Sequence, residues 1–525
     1  MKPDSHNDYP GGDTASLWFG TFEVPSYPRL TTNLEADVCV VGAGIAGLST
    51  AYELTRAGKN VVVLDDGPIG GGESGRTTAH LTNAMDDRIF VLEHVHGLEG
   101  ARKIVASHGA AVDRIEEIAR GEGMDCDFTR VDGYLFLGED ANPDVLDEEL
   151  NAAFRAGRTD ITRLPRLPGV DTDLGPCLAF PNSGQFHVLK YLAGLAAAIV
   201  RGGGRIFCDT HVSSVEGGTT CKVETAGKHT VSAGAVCVCT NASIADMMRT
   251  PLKQAPYRTF AIAAVVPRGS AKRALYWDTA DPYHYVRLQP LESVPGTEPG
   301  GEQFDALIVG GEDHKTAHAD DAEERWDRLE RWMRERWPQA REVIYRWSGQ
   351  VLEPNDFIAF IGRNPDGAEN VYMASGDSGQ GITHGVIAGM LIKDLVIGRT
   401  NAWSTLYDPK RVSLRAKPIE EFAKENVDVA FQYMKDLLSP GDVHAESEIA
   451  RGSGRVIRQG THKIAAYRDK NGTLHKCSAV CTHLKCIVAW NSAEASWDCP
   501  CHGSRFDPYG KVLNGPAVSD LEKID

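Results

Sequence analysis

Asp37 to Asp65, DVCVVGAGIAGLSTAYELTRAGKNVVVLD, constrains this chain more than any other stretch. An apolar run, Val38 to Val41, leads into Gly42, Gly44 and Gly47 in G-x-G-x-x-G spacing. An amphipathic segment follows from Ile45 to about Ala57, and a second apolar run, Val61 to Leu64, ends in Asp65. That order predicts strand, tight turn, helix and second strand. Gly42 permits the turn, Gly44 admits a pyrophosphate against the backbone, and Gly47 lets helix and strand pack closely. The helix start at Ile45 and Ala46 offers free N–H groups and a positive dipole end to phosphates. Asp65, roughly 20 residues on, suits a ribose hydroxyl. The motif predicts a dinucleotide and leaves FAD and NAD both open.

At 525 residues the chain has room for more than one domain. A net charge of −17 argues against nucleic acid or an anionic membrane surface as partner. The sequence contains no apolar run long enough for a membrane span. Its first residues, MKPDSHNDYPGGDTAS, lack the apolar core of a secretory signal, so a cytoplasmic location is expected. Cysteine is unevenly placed: Cys477, Cys481, Cys486, Cys499 and Cys501 crowd into a short C-terminal stretch, which points to metal or redox chemistry.

Residues 1–35 read as a polar arm with no visible chemistry, in which Ser16 to Phe19 and Val24 to Leu30 are the stretches able to lie on the body. After Asp65 comes GPIGGGESGRTTAHLT, too rich in glycine for a helix and able to close over a ligand. Leu98 to Arg120 and Val188 to Arg201 have helical periodicity, and Val236 to Cys239 is a short buried strand ending at Thr240-Asn241. Residues from about 255 to 350 are strand-rich, with one Trp-bearing helix near Ala322 to Trp337. Val371 to Ala374 then leads into GDSGQGITHG and an apolar helix, a second strand, glycine loop and helix unit. Leu414 to Leu438 reads as helix, and Ser439-Pro440-Gly441 marks the boundary of a compact module.

In that module Cys481-x-His483 and Cys499-x-x-His502 each pair one thiol with one imidazole. Such a set could bind zinc tetrahedrally. A [2Fe–2S] centre with two Cys on one iron and two His on the other is the better match, since each loop carries one of each. CTHLKC, CPCHGSRFD and Gly515-Pro516-Ala517 closely resemble the two cluster loops and the proline loop of Rieske proteins. That resemblance implies Cys481, His483, Cys499 and His502 as ligands and a Cys486–Cys501 disulfide, which in a cytoplasmic protein requires burial to persist. Ser504 can donate to a cluster sulfur, whereas Phe506 stands where high-potential members carry tyrosine. A midpoint in the middle of the Rieske window of about −150 to +300 mV is therefore expected.

The N-terminal body, about 36–410, resembles the FAD-binding unit of the glycine/D-amino-acid oxidase (DAO) superfamily, most closely at Val38 to Asp65 and Val371 to Gly385. The order of DAO-like body and Rieske tail is that of a bacterial flavoprotein–Rieske fusion family. The resemblance implies an α/β Rossmann-type FAD-binding domain (parts about 36–85, 185–250 and 350–400) and a β-rich α+β substrate domain (about 86–184 and 251–349). A helical linker, 411–440, then leads to a small all-β Rieske domain, 441–525. It also implies FAD contacts at Ser74, Arg76, Thr77, Thr78, Val212, Thr240, Asn241, Gly376, Gly379, Gln380, Gly381, Ile382 and Thr383, besides the motif residues. Some members attach flavin to a histidine; His80 lies out of register, so non-covalent FAD is expected.

A flavin accepts a hydride and a [2Fe–2S] cluster carries one electron, so the pair suits oxidation of a small amine or amino acid with single electrons passed to an external protein or quinone. In the strand-rich section, alternation places Tyr283, Tyr285 and Arg287 on one strand face and His284 on the other. These four are the candidate catalytic group, with Arg287 as a carboxylate clamp and Arg258, Asp313, His314 and Lys315 as further candidates. Two other readings are an electron-transfer reductase component and a redox sensor without a small-molecule substrate. The reductase reading wants a second nucleotide motif, and Gly202 to Gly204 follows a helix rather than a strand.

Overall fold

A computed structural model describes residues 14–139, 141–170, 172–246, 248–293, 302–412, 441–443, 445–460 and 462–524. β1 (Leu34–Val41) runs into α1 (Ile45–Arg56), and β2 (Val61–Leu64) returns parallel to β1 with Val38 opposite Val61. Val38 to Val41 and all of β2 are buried, as the apolar runs require of a strand covered on both faces. An eight-stranded sheet grows outward from this pair. Thr230–Val238 and Val371–Ser375 join on one side and Arg205–Phe207 on the other, all parallel. Helix Gly381–Val396 crosses α1 so closely that a Cβ on Gly385 would sit 2.8 Å from Ile45 Cγ2 and one on Gly389 2.8 Å from the Ser49 backbone.

A nine-stranded, mostly antiparallel sheet forms the second layer, with Val343–Pro354, Gln254–Pro267, Phe304–Lys315 and Tyr285–Pro290 adjacent in that order. The expected helix at Leu98 to Arg120 is longer, Ile89–Gly121, with a break in helical geometry at Gly97. In the N-terminal arm the stretch able to lie on the body does so: Leu17 and Trp18 start a short helix and are fully buried. The C-terminal module is a three-stranded and a four-stranded sheet, 453–478 and 489–514, around its own apolar core. Most of the linker expected over 411–440 lies outside the described residues.

Candidate active site and iron-sulfur centre

One cavity of about 650 Å³ runs from the end of β2 past the α1 N-terminus to the second sheet. Every residue expected to touch the dinucleotide borders it except Gly47, which lies behind the turn. Close packing explains the glycines: a Cβ on Gly42 would meet the Cys239 carbonyl oxygen at 2.4 Å, and one on Gly47 the Gly42 oxygen at 1.8 Å. Asp65 accepts from the Ala43 and Gly67 N–H groups, and burial beside Asp66 pushes its carboxyl up to about 7. The Ser74 hydroxyl sits at the α1 start and accepts from the Ile45 N–H at 3.0 Å. Asn241 Nδ2 is buried with no hydrogen-bond partner, a donor awaiting an acceptor-rich ligand. Room, glycine cradle and orphaned donor all fit a dinucleotide.

The loop Gly75 to Ala79 holds its shape with almost no secondary structure because side chains tie its carbonyls. Ser16 donates to Gly75 O, Trp347 to Arg76 O, Trp18 to Thr77 O at 2.6 Å, and Arg287 to Ala79 O at 2.8 Å. This corrects the expected role of Arg287. The strand begins only at Tyr285, and Arg287, fully buried, turns its guanidinium to Ala79 O, Phe186 O and Gln289 instead of the cavity. Alternation gives a strand face but not what lies behind it. His284 is also diverted: it pairs with Asp278 at 2.9 Å and stacks on Trp332. Arg258 is likewise drawn away, to Ser348 and Asp498.

Tyr283 and Tyr285 do border the inner end, with Trp277, His80 and Asp313. Tyr283 donates to Asp86 at 3.1 Å, and Tyr285 is hydrogen-bonded to Thr259 at 2.6 Å. Both ring nitrogens of His80 have partners, Thr78 Oγ1 and Val286 O, and burial pulls the imidazole down to about 3. Asp86 and Glu353, which no sequence signal singled out, join Asp313 on the wall. Burial raises all three carboxyls, Asp313 to about 7. Arg88, which also borders the cavity, donates to the Asp86 and Asp278 carbonyls.

At the C-terminal loops the Cys481 and Cys499 thiols are hydrogen-bonded to each other, which draws Cys481 down to about 7. The His483 and His502 rings meet edge to face at 5.0 Å, and His502 Nδ1 is buried without a partner. Cys486 and Cys501 are joined and buried. Sulfurs of Cys486, Cys499 and Cys501 also lie close together, but two of them are closed in that bridge and only Cys499 remains as a ligand. Two thiols and two imidazoles from two loops fit a [2Fe–2S] cluster.

Residues 37–395 match the family model of the FAD dependent oxidoreductases (DAO). The chain belongs to the DAO family of FAD dependent oxidoreductases. Residues 439–525 match the Rieske [2Fe-2S] domain, so the protein is an oxidoreductase carrying FAD and a Rieske cluster. The chain is 31% identical to the Rieske 2Fe-2S iron-sulfur protein YhfW of Bacillus subtilis, over 97% of each chain. It is 29% identical to the gamma-glutamylputrescine oxidoreductase of Escherichia coli, over 71% of this chain and 86% of that one. The L-proline dehydrogenase of P. horikoshii shares the fold, with a TM-score of 0.58 at 18% identity over 73% of this chain and 98% of that one. No helix among the described residues is long and apolar enough to cross a membrane.

The FAD body and the Rieske domain meet through buried charge. Arg76 pairs with Glu494 at 3.0 Å and Arg258 with Asp498 at 3.1 Å, while Arg505 pairs with Asp498 at 3.1 Å and reaches Glu73 at 3.6 Å. Beside this network Gln350, on the cavity wall, donates to the carbonyl of Gly503, next to His502. Ser504 hydrogen-bonds Cys481 and Phe506 is fully buried in the same hairpin. A donor to a cluster sulfur stabilises the reduced state. Phe506→Tyr is therefore expected to raise the midpoint in a redox titration, and the wild type to titrate below about +250 mV, inside the Rieske window. A wild-type value above that limit overturns the expectation of a lowered midpoint drawn from Phe506.

Proposed function

We propose that the protein oxidises a small amine that bears a second cationic group, and that the electrons leave through the Rieske cluster to an external protein or quinone. Bound FAD supplies a hydride acceptor and the cluster a one-electron carrier. The acidic, aromatic inner wall carries this reading: Asp86, Asp313 and Glu353 beside Trp277, Tyr283 and Tyr285. Buried carboxyls with raised pKa values favour a cation, which restores their ionised form, and disfavour a substrate carboxylate. Aromatic faces hold ammonium groups by the same sign of charge. The arginines bordering the cavity among the described residues, Arg76 and Arg88, are engaged by Glu494 and by backbone carbonyls. A bidentate carboxylate clamp therefore lacks its guanidinium.

Asp313 is suited to a proton-transfer role. Its Oδ1 has no hydrogen-bond partner, and a carboxyl near 7 is matched to take the proton of a substrate ammonium at neutral pH. The gamma-glutamylputrescine oxidoreductase, named for an amine, supports the substrate class. The Gln350–Gly503 contact supports an electron route toward His502. The test is an anaerobic screen of amines, diamines, amino acids and hydroxy acids, with NADPH as comparison, read by loss of the flavin's visible absorbance. Bleaching by diamines or their derivatives ahead of amino acids is expected. Bleaching by NADPH alone would replace this reading with that of a reductase component.

A further inference from the structure

The dinucleotide cavity is not closed by the FAD body alone. At the end marked by Asp65, Thr210 and His211, the wall is completed by Rieske residues, among them Asn514, Gly515 and Val518. The contact is close: His211 Nε2 lies 3.3 Å from Val518 O, and a Cβ on Gly515 would meet Ala242 O at 3.2 Å. Asn514 Nδ2 is buried with no hydrogen-bond partner, and Asn241, whose Nδ2 is likewise orphaned, lines the same cavity. A buried amide donor without an acceptor costs about 1–3 kcal/mol. Two of them facing one cavity mark a place for a ligand rich in acceptors.

Position along the motif says which part of the ligand that is. The acid after the second strand addresses the ribose of the nucleotide half, while the helix start addresses the pyrophosphate. Asn514 lines the cavity on the same segment as Val518, whose carbonyl meets His211, and the neighbouring Thr210 N–H donates to Asp65 O; at this end an adenosine offers ribose oxygens and ring nitrogens as acceptors. Its placement is firm. It pairs in register with Arg505, which the charge network anchors, and the Ala517 N–H donates to Ser504 Oγ in the cluster hairpin.

We propose that the Rieske domain completes the FAD site, with the Asn514 side-chain amide and the Gly515-Pro516-Ala517 loop covering the adenosine half of the cofactor. The inference rests on the FAD assignment of this cavity. It makes the C-terminal domain a cofactor-binding element as well as an electron carrier, and it links FAD retention to correct docking of the cluster.

The test uses the full-length protein, stripped of flavin and titrated with FAD, with ADP for the adenosine half and with FMN for the flavin half. The cluster's visible and EPR spectra report an intact Rieske domain. Asn514→Ala is expected to weaken FAD and ADP about tenfold, one lost hydrogen bond, and to leave FMN binding and the cluster spectra unchanged. Where Asn514→Ala loses the cluster spectrum, the isosteric Asn514→Asp carries the same comparison, with an acceptor where the donor stood. FAD and ADP affinities within twofold of wild type overturn the proposal, and so does an equal loss for ADP and FMN. Wild-type protein that binds neither FAD nor ADP would instead remove the FAD assignment on which the proposal rests.

Discussion

Gly47→Ala protein is expected to emerge without FAD and with a lowered unfolding midpoint. A Cβ at this position would stand 1.8 Å from the Gly42 carbonyl oxygen and 3.5 Å from Val40 Cγ1. The oxygen belongs to the turn backbone, so no side-chain rotation relieves the overlap, and α1 must move away from β1. That helix has little freedom to move, since ten of its twelve residues are buried. Displacing it also shifts the N–H groups that address the pyrophosphate. Overpacking of this severity costs at least about 1–3 kcal/mol, besides the cofactor. Gly58→Ala is the control: no atom lies within 4 Å of its Cβ, so only the strain of φ +80° remains, about 1–2 kcal/mol. A full complement of flavin in Gly47→Ala protein would show that close approach is not what this glycine serves.

The features legible in the sequence are those a local chemical demand writes into adjacent residues. G-x-G-x-x-G is one, because a turn and a close helix impose it within a few positions. Cys481-x-His483 with Cys499-x-x-His502 is another, because the ligand types are dictated by the iron. The acidic inner wall has little such writing, since Asp313 alone of its three carboxyls is a candidate in the sequence. Asp86, Asp313 and Glu353 come from a loop and two different strands, and only the nine-stranded sheet brings them to one surface. Alternation places Arg287 on a strand face and arginine chemistry suits it to a carboxylate, yet its guanidinium meets Ala79 O and Phe186 O, groups over 100 residues away in the chain. The hydrogen bond of Trp18 to the Thr77 carbonyl and the placement of Asn514 in the last strand are silent for the same reason. Both exist only against partners that distant segments supply.

Asp498→Asn is expected to loosen the Rieske domain from the FAD body by about 3–5 kcal/mol. Asp498 is 1% exposed and accepts from Arg258, Arg505, Asn491 and Ser496. Burial alone would raise its carboxyl, but Arg505 and Arg258 outweigh burial and hold it at about 2. The neutral amide leaves both guanidiniums buried and short of one negative charge, and that uncompensated charge is the larger part of the loss. Asp320→Asn tests the same boundary at its exposed rim, where Asp320 accepts from Ser492 at 2.9 and 2.6 Å, and is expected to cost no more than about 0.5 kcal/mol. Denaturant titration followed by cluster absorbance measures both. Because the folded pKa lies below the ordinary carboxylate value of about 3.9, the stabilisation from ionised Asp498 is full above that value. It is lost as pH falls through about 2. The gap between wild type and Asp498→Asn should therefore stay flat from neutral pH down to about 5 and narrow only below about 4. A gap that closed near pH 6 would mean that Asp498 is not held by the two arginines, and a gap no larger than that of Asp320→Asn would mean that buried charge does not hold the two domains together.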